Sequence, residues 1–445
     1  MDSSKVGGSP FVFGSLLLMF CVHVSALLGA DCNQNGVEDS RDVSSRSLGF
    51  RPVAPAFAGE YDLDGDGLLD AVHHAEGYLE ILFNNGDGTA RPSGTYPLQG
   101  YASDVTAVDL NLDGNLDLAT VNTLCCGREP GIISLFFNQG NGWLMDAVIY
   151  DHEGTHDASI TAADVNADGS PDLVVGVQRL IQIFVNEGGG GLDRGWAVPA
   201  GSAVLVAADL DHDSRDDIAA VEQPSWDATC QCLLTPVVVC LSQAAPNAPA
   251  IITYYLPGSG SSLTVGNFKG NAAPDLAIGT EGSVLVLTNH GDGTFQEPAL
   301  RLGCPFSDSL ATADFDGDGR IDLAATRHSQ TGSSVAIFLN PSEAGLQSAA
   351  DYPGAGPPLL PTDMDGDGDI DLGTSHKDGY AFFLLNQGDG AFVLPSWIYT
   401  QDQFGSLIAS DFNGDGNMDW AGSTSNPPYE ILVLLNDESG GCQEA

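Results

Sequence analysis

Eight short segments of this chain place side-chain oxygens at alternate positions of a tight, glycine-containing run. The pattern is Asp-x-Asp/Asn-x-Asp-Gly-x-x-Asp, and it begins at Asp62, Asp109, Asp164, Asp209, Asn267, Asp314, Asp363 and Asp411. Oxygens at positions one, three and five project to one side of such a turn. A glycine at position six permits the bend, a carbonyl follows at seven, and the Asp at nine closes the shell. That is the chemistry of a hard divalent cation with six to eight oxygen ligands. Ca²⁺ suits it better than Mg²⁺, which demands strict octahedral geometry and keeps its waters.

The candidate ligands follow loop by loop. They are Asp62, Asp64, Asp66, the Leu68 carbonyl and Asp70; Asp109, Asn111, Asp113, Leu116 and Asp117; and Asp164, Asn166, Asp168 and Asp172. Further along come Asp314, Asp316, Asp318, Arg320 and Asp322; Asp363, Asp365, Asp367, Asp369 and Asp371; and Asp411, Asn413, Asp415, Asn417 and Asp419. The loop of Asp209, Asp211, Asp213 and Asp217 keeps its four carboxylates but has Ser214 where glycine is expected, which leaves its metal binding open. The Asn267 loop has Lys269 at position three, Ala272 at six and a single acid, Asp275, so it is expected to bind no metal, with the ammonium standing in for the cation. A ninth acidic run differs: Asp31, Asn33, Asn35, Asp39 and Asp42 have the spacing of a twelve-residue EF-hand-like loop, read either as a Ca²⁺ site or as an exposed acidic leader. Six intact loops and this leader would carry about seven Ca²⁺.

The elements that must hold these loops are short. An apolar run precedes each loop and another follows it, as in Leu173-Val-Val-Gly; a third closes on Asn-x-Gly-x-Gly, as in LEILFNNGDGT from Leu79 and VLVLTNHGDGT from Val284. Runs of β-formers bounded by Gly, Asn and Asp read as strands with turns at their ends. No segment has a sustained helical period. The loops recur 45 residues apart at the closest (Asp164 to Asp209) and 58 at the widest (Asp209 to Asn267). Four antiparallel strands at such a period predict an all-β chain, a β-propeller of eight blades, or of seven if one unit is an irregular insert. The last unit stops without an outer strand, and Ser45 to Val53 could supply it and close the ring.

Composition narrows the partners. The 445 residues carry 60 Asp+Glu against 14 Lys+Arg, a formal charge of −46, which excludes nucleic acid and anionic membrane as partners. With 43% hydrophobic residues the chain is nonetheless built to bury a core. Residues 1–30 read as a secretory signal peptide: Lys5, an apolar stretch from Phe11 to Leu28, and cleavage after Ala26 or Ala30. Residues 31–42 form the acidic leader loop, and 43–445 the propeller. Cys21 leaves with the signal, and the other eight cysteines are expected to form disulfides in an exported chain that is expected to be a monomer.

At these motifs the chain resembles the FG-GAP/VCBS repeat family, whose repeats build integrin α-subunit propellers. Phe404-Gly405 followed by SLIASDFNGDGNMD is similar to the Phe-Gly opening and calcium loop, and Asn289 to Phe295 to the VCBS-type turn. The leader is similar to half of a dockerin module. The resemblance implies a propeller with calcium loops on one face and ligand contacts usually on the other. If the acidic loops join the first and second strands of each blade, the turns between second and third strands emerge opposite them. Those segments hold His73, His74, Arg128, Trp226, Arg327, His328, His376, Lys377 and Tyr429 as ligand-face candidates. The expected function is a secreted, non-enzymatic binding or adhesion module for an extracellular glycan or protein. The alternatives are a calcium-assisted polysaccharide lyase, with a His or Tyr base and an Arg or Lys clamp, and a structural cell-envelope component.

Overall fold

The computed structural model describes residues 45–47 and most of 56–436; the two ends and several short segments, among them 124–130, 377–379, 413–417 and 425–430, lie outside the description. The described strands form eight antiparallel sheets. Each blade begins with an inner strand: Ala56–Tyr61, Tyr101–Val108, Ser159–Ala163, Val204–Ala208, Gly260–Gly266, Leu310–Ala313, Gly356–Thr362 and Phe404–Ser410, for blades 1 to 8. Every inner strand packs beside the next, and that of blade 8 packs beside that of blade 1, so the ring closes as an eight-bladed propeller. Among the described residues there is no helix.

Closure uses the segment expected from sequence. Ser45–Ser47 pairs antiparallel with Ile431–Leu434, Ser45 opposite Leu434 and Ser47 opposite Leu432, and becomes the outer strand of blade 8. The first and last parts of the ring are thus bound by backbone hydrogen bonds, and an edge that would template aggregation is covered.

The second and third strands are apolar on both faces because each blade is sandwiched between two others. Asp172–Val177 is buried at every position, as is Asp275–Thr280. The cores lie between adjacent blades: Leu79, Ile81 and Phe83 of blade 1 meet Val105, Leu118 and Phe136 of blade 2. Blades 6 and 7 meet likewise through Val335, Ile337, Leu372 and Leu384. Burying one such side chain contributes about 1.5–3 kcal/mol, so each interface is a small core. Outer strands face water and alternate, as in Ala250–Pro257, where Ile251, Thr253 and Tyr255 are exposed while Tyr254 and Leu256 are buried.

Polar contacts recur between blades. An outer-strand tyrosine hydroxyl accepts the backbone N–H after the next blade's hairpin: Tyr96 from Leu144 at 3.2 Å, Tyr254 from Phe295 at 2.8 Å, and Tyr352 from Phe392 at 2.8 Å. Blade 4 carries an extra ribbon, Ser225–Asp227 against Cys232–Leu241, with Trp226 opposite Leu233. At its tip Cys230 and Cys232 form a disulfide. Cys240 and Cys304, by contrast, are buried free thiols, which corrects the expectation that the mature cysteines pair throughout. Their places inside separate blades, Cys240 in a central strand and Cys304 after an outer one, keep them apart and buried; Cys240 packs among apolar side chains as a small hydrophobe, and the Cys304 thiol donates to the Thr326 carbonyl at 3.3 Å.

Candidate metal centres and the opposite face

Each acidic loop joins the first and second strands of its blade, and its shape is set by its own side chains. The position-one carboxylate accepts the backbone N–H of position six: Asp62 from Gly67 at 3.0 Å, Asp109 from Gly114 at 2.8 Å, Asp314 from Gly319 at 2.8 Å, Asp363 from Gly368 at 3.0 Å. Position five accepts the N–H of position seven, as Asp66 does from Leu68 and Asp367 from Asp369, both at 2.9 Å. The Asp209 loop keeps this geometry: Ser214 adopts a φ of 68° and donates to Asp209 at 3.0 Å. A left-handed serine is strained by of order 1 kcal/mol, which the loop's hydrogen bonds sustain.

Four carboxylate groups converge so that their oxygens lie within 4.8 Å of one another: Asp62, Asp64 and Asp66; Asp209, Asp211 and Asp217; Asp314, Asp316 and Asp322; and Asp363, Asp365 and Asp371. Each could hold a metal ion. In the Asp109 and Asp164 loops the third position is an amide, Asn111 or Asn166, making the same local bonds to Asp113 and Asp168 at 3.0 and 2.8 Å. Burial, followed by the neighbouring position-five carboxylate, pushes Asp64, Asp211, Asp316 and Asp365 above the usual carboxylate range. Asp365 Oδ1 is buried without a hydrogen-bond partner. An all-oxygen donor set, mutual repulsion and an orphaned carboxylate oxygen fit a hard cation. Arginines supply part of the compensation: Arg91 lies 2.7 Å from Asp64, Arg215 lies 2.5 Å from Asp213, and Arg320 bonds Asp318 while its Nε donates to the Asn340 carbonyl at 2.6 Å.

The ninth-position aspartates do more than close a shell. Asp70, Asp117, Asp172, Asp217, Asp275, Asp322, Asp371 and Asp419 are fully buried. In each, one oxygen accepts the N–H of loop position two and the other an N–H at the end of the third strand; for Asp371 these are Met364 at 2.8 Å and Asn386 at 2.6 Å. Burial pushes Asp70, Asp322 and Asp371 to about 6, and Asp172 and Asp217 to about 7.

The hairpin asparagine then reaches across to the previous blade. Asn138 donates to the Leu63 carbonyl at 2.6 Å, Asn186 to Leu110 at 2.7 Å, Asn289 to Leu210 at 2.8 Å and Asn386 to Phe315 at 2.7 Å. The same amides hold the position-eight carbonyl of their own loop; Asn138 donates to Leu116 at 3.1 Å. Leu116 is therefore not a free ligand carbonyl, and the seventh position of that loop is Asn115. In blade 4, Ser242 replaces the asparagine, and Asp216 makes the inter-blade link instead, accepting from Asp164 N–H at 2.9 Å and donating its own N–H to the Asp164 carbonyl at 2.9 Å. The hairpin also roofs the preceding loop: a Cβ at Gly142, whose φ is 73°, would stand 2.0 Å from Phe83 and 3.2 Å from Asp64.

Asp31, Asn33, Asn35, Asp39, Asp42, Asn413, Asp415, Asn417, Arg128, Lys377 and Tyr429 lie outside the described residues. The remaining ligand-face candidates are spread over four blades. His73 and His74 lie within the strand Asp70–Ala75, not in a turn, because the pairing with Tyr78–Asn84 runs to Ala75. Trp226 is exposed on the blade 4 ribbon, and His376 ends its strand beside Phe382. Arg327 and His328 are adjacent in Asp322–Ser329 and enter a local network that sequence reading missed. Arg327 pairs with Asp351 at 2.7 Å; His328 Nε2 lies 2.9 Å from Asp308 and Nδ1 lies 2.8 Å from Ser333. No periodicity marks either partner: Asp308 sits in a connection specific to its blade, and Ser333 lies in the strand Gly332–Leu339 opposite His328.

A protein-family model for the FG-GAP-like repeat matches residues 62–120, 164–220, 267–325 and 363–421, together just over half the chain and including all eight loops. No curated protein matches the chain. Among solved structures, a lectin of Agrocybe aegerita described as recognising non-reducing terminal N-acetylglucosamine is 16% identical, with 87% of each chain covered and a TM-score of 0.47. BBS1N in complex with ARL6DN is 12% identical; the match covers 89% of this chain and 97% of that one in one crystal, with a TM-score of 0.48. In another crystal of that complex the match covers 82% and 99%, with a TM-score of 0.44.

Proposed function

Because the chain belongs to the FG-GAP-like repeat family, we propose that it is a secreted, calcium-binding propeller that acts as a non-enzymatic binding or adhesion module for an extracellular glycan or protein. The observation that carries this reading is the segregation of chemistry between the two faces. The acidic loops and the hairpins that roof them occupy one face, where they brace the ring. The connections of the other face are free to vary from blade to blade. Calcium is the ion of choice, since the donors are hard oxygens, and about seven ions complete the count if the leader loop fills. The ions neutralise repulsion within each loop and hold it against its neighbour; they do no chemistry on a ligand. Export directed by the signal peptide read in residues 1–30 would place the protein where calcium is plentiful. Among the described residues no helix is long and apolar enough to cross a membrane.

A glycan array run with and without EDTA, beside an absorbance assay for unsaturated uronates on acidic polysaccharides, tests the proposal. Calcium-dependent retention without turnover is the expected outcome. Release of unsaturated uronates would replace the binding reading by the lyase one.

A further inference from the structure

The connection from the outer strand of blade 5, Leu300–Leu302, to the inner strand of blade 6 crosses the face opposite the acidic loops. Both its ends are pinned by one strand of blade 6. Arg327 donates to the Gly303 carbonyl, while Asp308 accepts from Thr326 Oγ1 at 2.7 Å and lies 2.9 Å from His328 Nε2. Between these anchors stands Phe306, a residue 53% exposed with a φ of 56°. A bulky aromatic in the left-handed region is an outlier that ordinarily gives way to Gly or Asn. Its backbone is held there by blade 5, through Phe306 N–H to Glu281 O at 3.1 Å and Ser307 N–H to Thr280 O at 3.3 Å. The fold therefore keeps a strained, bulky aromatic residue in place and leaves more than half of it exposed, which packing alone does not account for.

We infer that Phe306, Asp308 and His328 form a binding site for a neutral hexopyranoside at the junction of blades 5 and 6. This rests on the reading of the protein as a glycan-binding module and names one of its sites. The exposed ring offers a flat apolar platform to the C–H face of a pyranose. Asp308, whose side chain is 48% exposed, is fixed by Thr326 and His328, leaving its outward lone pairs to accept from neighbouring hydroxyls. The His328 ring is in turn oriented by Ser333 at 2.8 Å, so the carboxylate and imidazole keep their positions before a ligand arrives. A neutral sugar is favoured over a uronate on charge: the Arg327 guanidinium already faces a carboxylate, Asp351, the acceptor offered to the ligand is itself the Asp308 carboxylate, and the chain carries a formal −46.

Saturation-transfer NMR of the calcium-loaded full chain, with methyl glycosides of glucose, galactose, mannose and N-acetylglucosamine at millimolar concentration, tests the site. The wild type should transfer to ring protons of at least one of the four. Phe306→Asn and Asp308→Asn should weaken binding about tenfold, the loss expected for a stacking contact or a charged acceptor, and Phe306→Trp should retain it. Phe306→Asn should melt no lower than wild type, because Asn tolerates a positive φ; a clear drop would make the ring a packing element and overturn the inference. Sugar binding undiminished by Phe306→Asn would also overturn this site while leaving the glycan-binding reading intact. No transfer from wild type to any of the four glycosides would overturn the pyranoside assignment, whatever the glycan array shows.

Discussion

The loops of blades 5 and 7 occupy the same place in their sheets and differ in almost every acidic position. Blade 7 has Asp363, Asp365 and Asp367 where blade 5 has Asn267, Lys269 and Asn271. Yet both end in a buried aspartate that makes the same two bonds: Asp275 accepts from Phe268 at 2.9 Å and Asn289 at 2.7 Å, Asp371 from Met364 and Asn386. In each, an asparagine at the end of the third strand grips the previous blade, Asn289 on Leu210 and Asn386 on Phe315. A loop stripped of its cation ligands still holds this anchor. The ninth aspartate therefore serves the fold whether or not its loop keeps other carboxylates, whereas positions one and three, common to all four converging groups, have no such backbone anchor to the third strand.

Removing calcium should produce the largest effect, because it touches every intact loop and leaves blade 5 alone. Each site filled at a hundredfold excess over its Kd stabilises the native state by about 2.7 kcal/mol. EDTA should lower the melting temperature strongly, and an unchanged value would mean that blades 5 and 7 do not differ in ion binding. Second in size, Asp275→Ala should cost about 2–5 kcal/mol by stranding two buried N–H donors. The loss should be the same with calcium or with EDTA; a calcium-dependent loss in a denaturant titration would show that blade 5 holds an ion after all. Third, Asp365→Ala should lose one calcium by isothermal titration and cost about 2.7 kcal/mol in excess calcium, with little change in EDTA. An unchanged stoichiometry would break the assignment.

The smallest effect is one of pH, and its sign depends on the ion. Burial raises the ninth aspartates to about 6 or 7 in the folded, metal-free chain, Asp275 and Asp371 both to about 6. A raised carboxyl binds its proton more tightly when folded, so this contribution is complete below the ordinary carboxylate pKa and is lost as pH rises through 6 to 7. In EDTA the melting temperature should rise as the pH is lowered from about 8 to about 5. In excess calcium the same change should lower it, since protons then compete with the ion. Thermal melts in the two buffers decide the point, and parallel pH profiles would contradict it.

The repeated loops made the architecture legible, because turn chemistry is local: the oxygens of positions one to nine meet through bonds spanning a few residues, such as Gly319 to Asp314. Strand runs read equally well, since blades stacked on both faces leave central strands apolar throughout. Reading by spacing faltered at Leu116, whose carbonyl is committed to Asn138, 22 residues further on. The inter-blade tyrosines were invisible for the same reason, Tyr254 meeting Phe295 across 41 residues. Phe306 gave no signal at all, because its strain is imposed by the blade 5 backbone and its own residue type argues against that conformation.

The sequence by itself thus determined the number of acidic loops, their ligand types, the blade grammar and the strand that closes the ring. The first three rest on contacts within one repeat, where spacing and residue type are sufficient; the closing strand, Ser45 opposite Leu434, was legible because it fills the outer place of the last blade. Only the tertiary structure decided that both oxygens of the ninth aspartate serve the backbone, how Asp216 substitutes for a missing asparagine, and which side chains share the opposite face. Such choices depend on blades meeting face to face, through bonds such as that from Asn138 to Leu63, 75 residues apart. The asparagine recurs with the repeat, but a separation of that size does not show which carbonyl it meets until neighbouring blades are stacked.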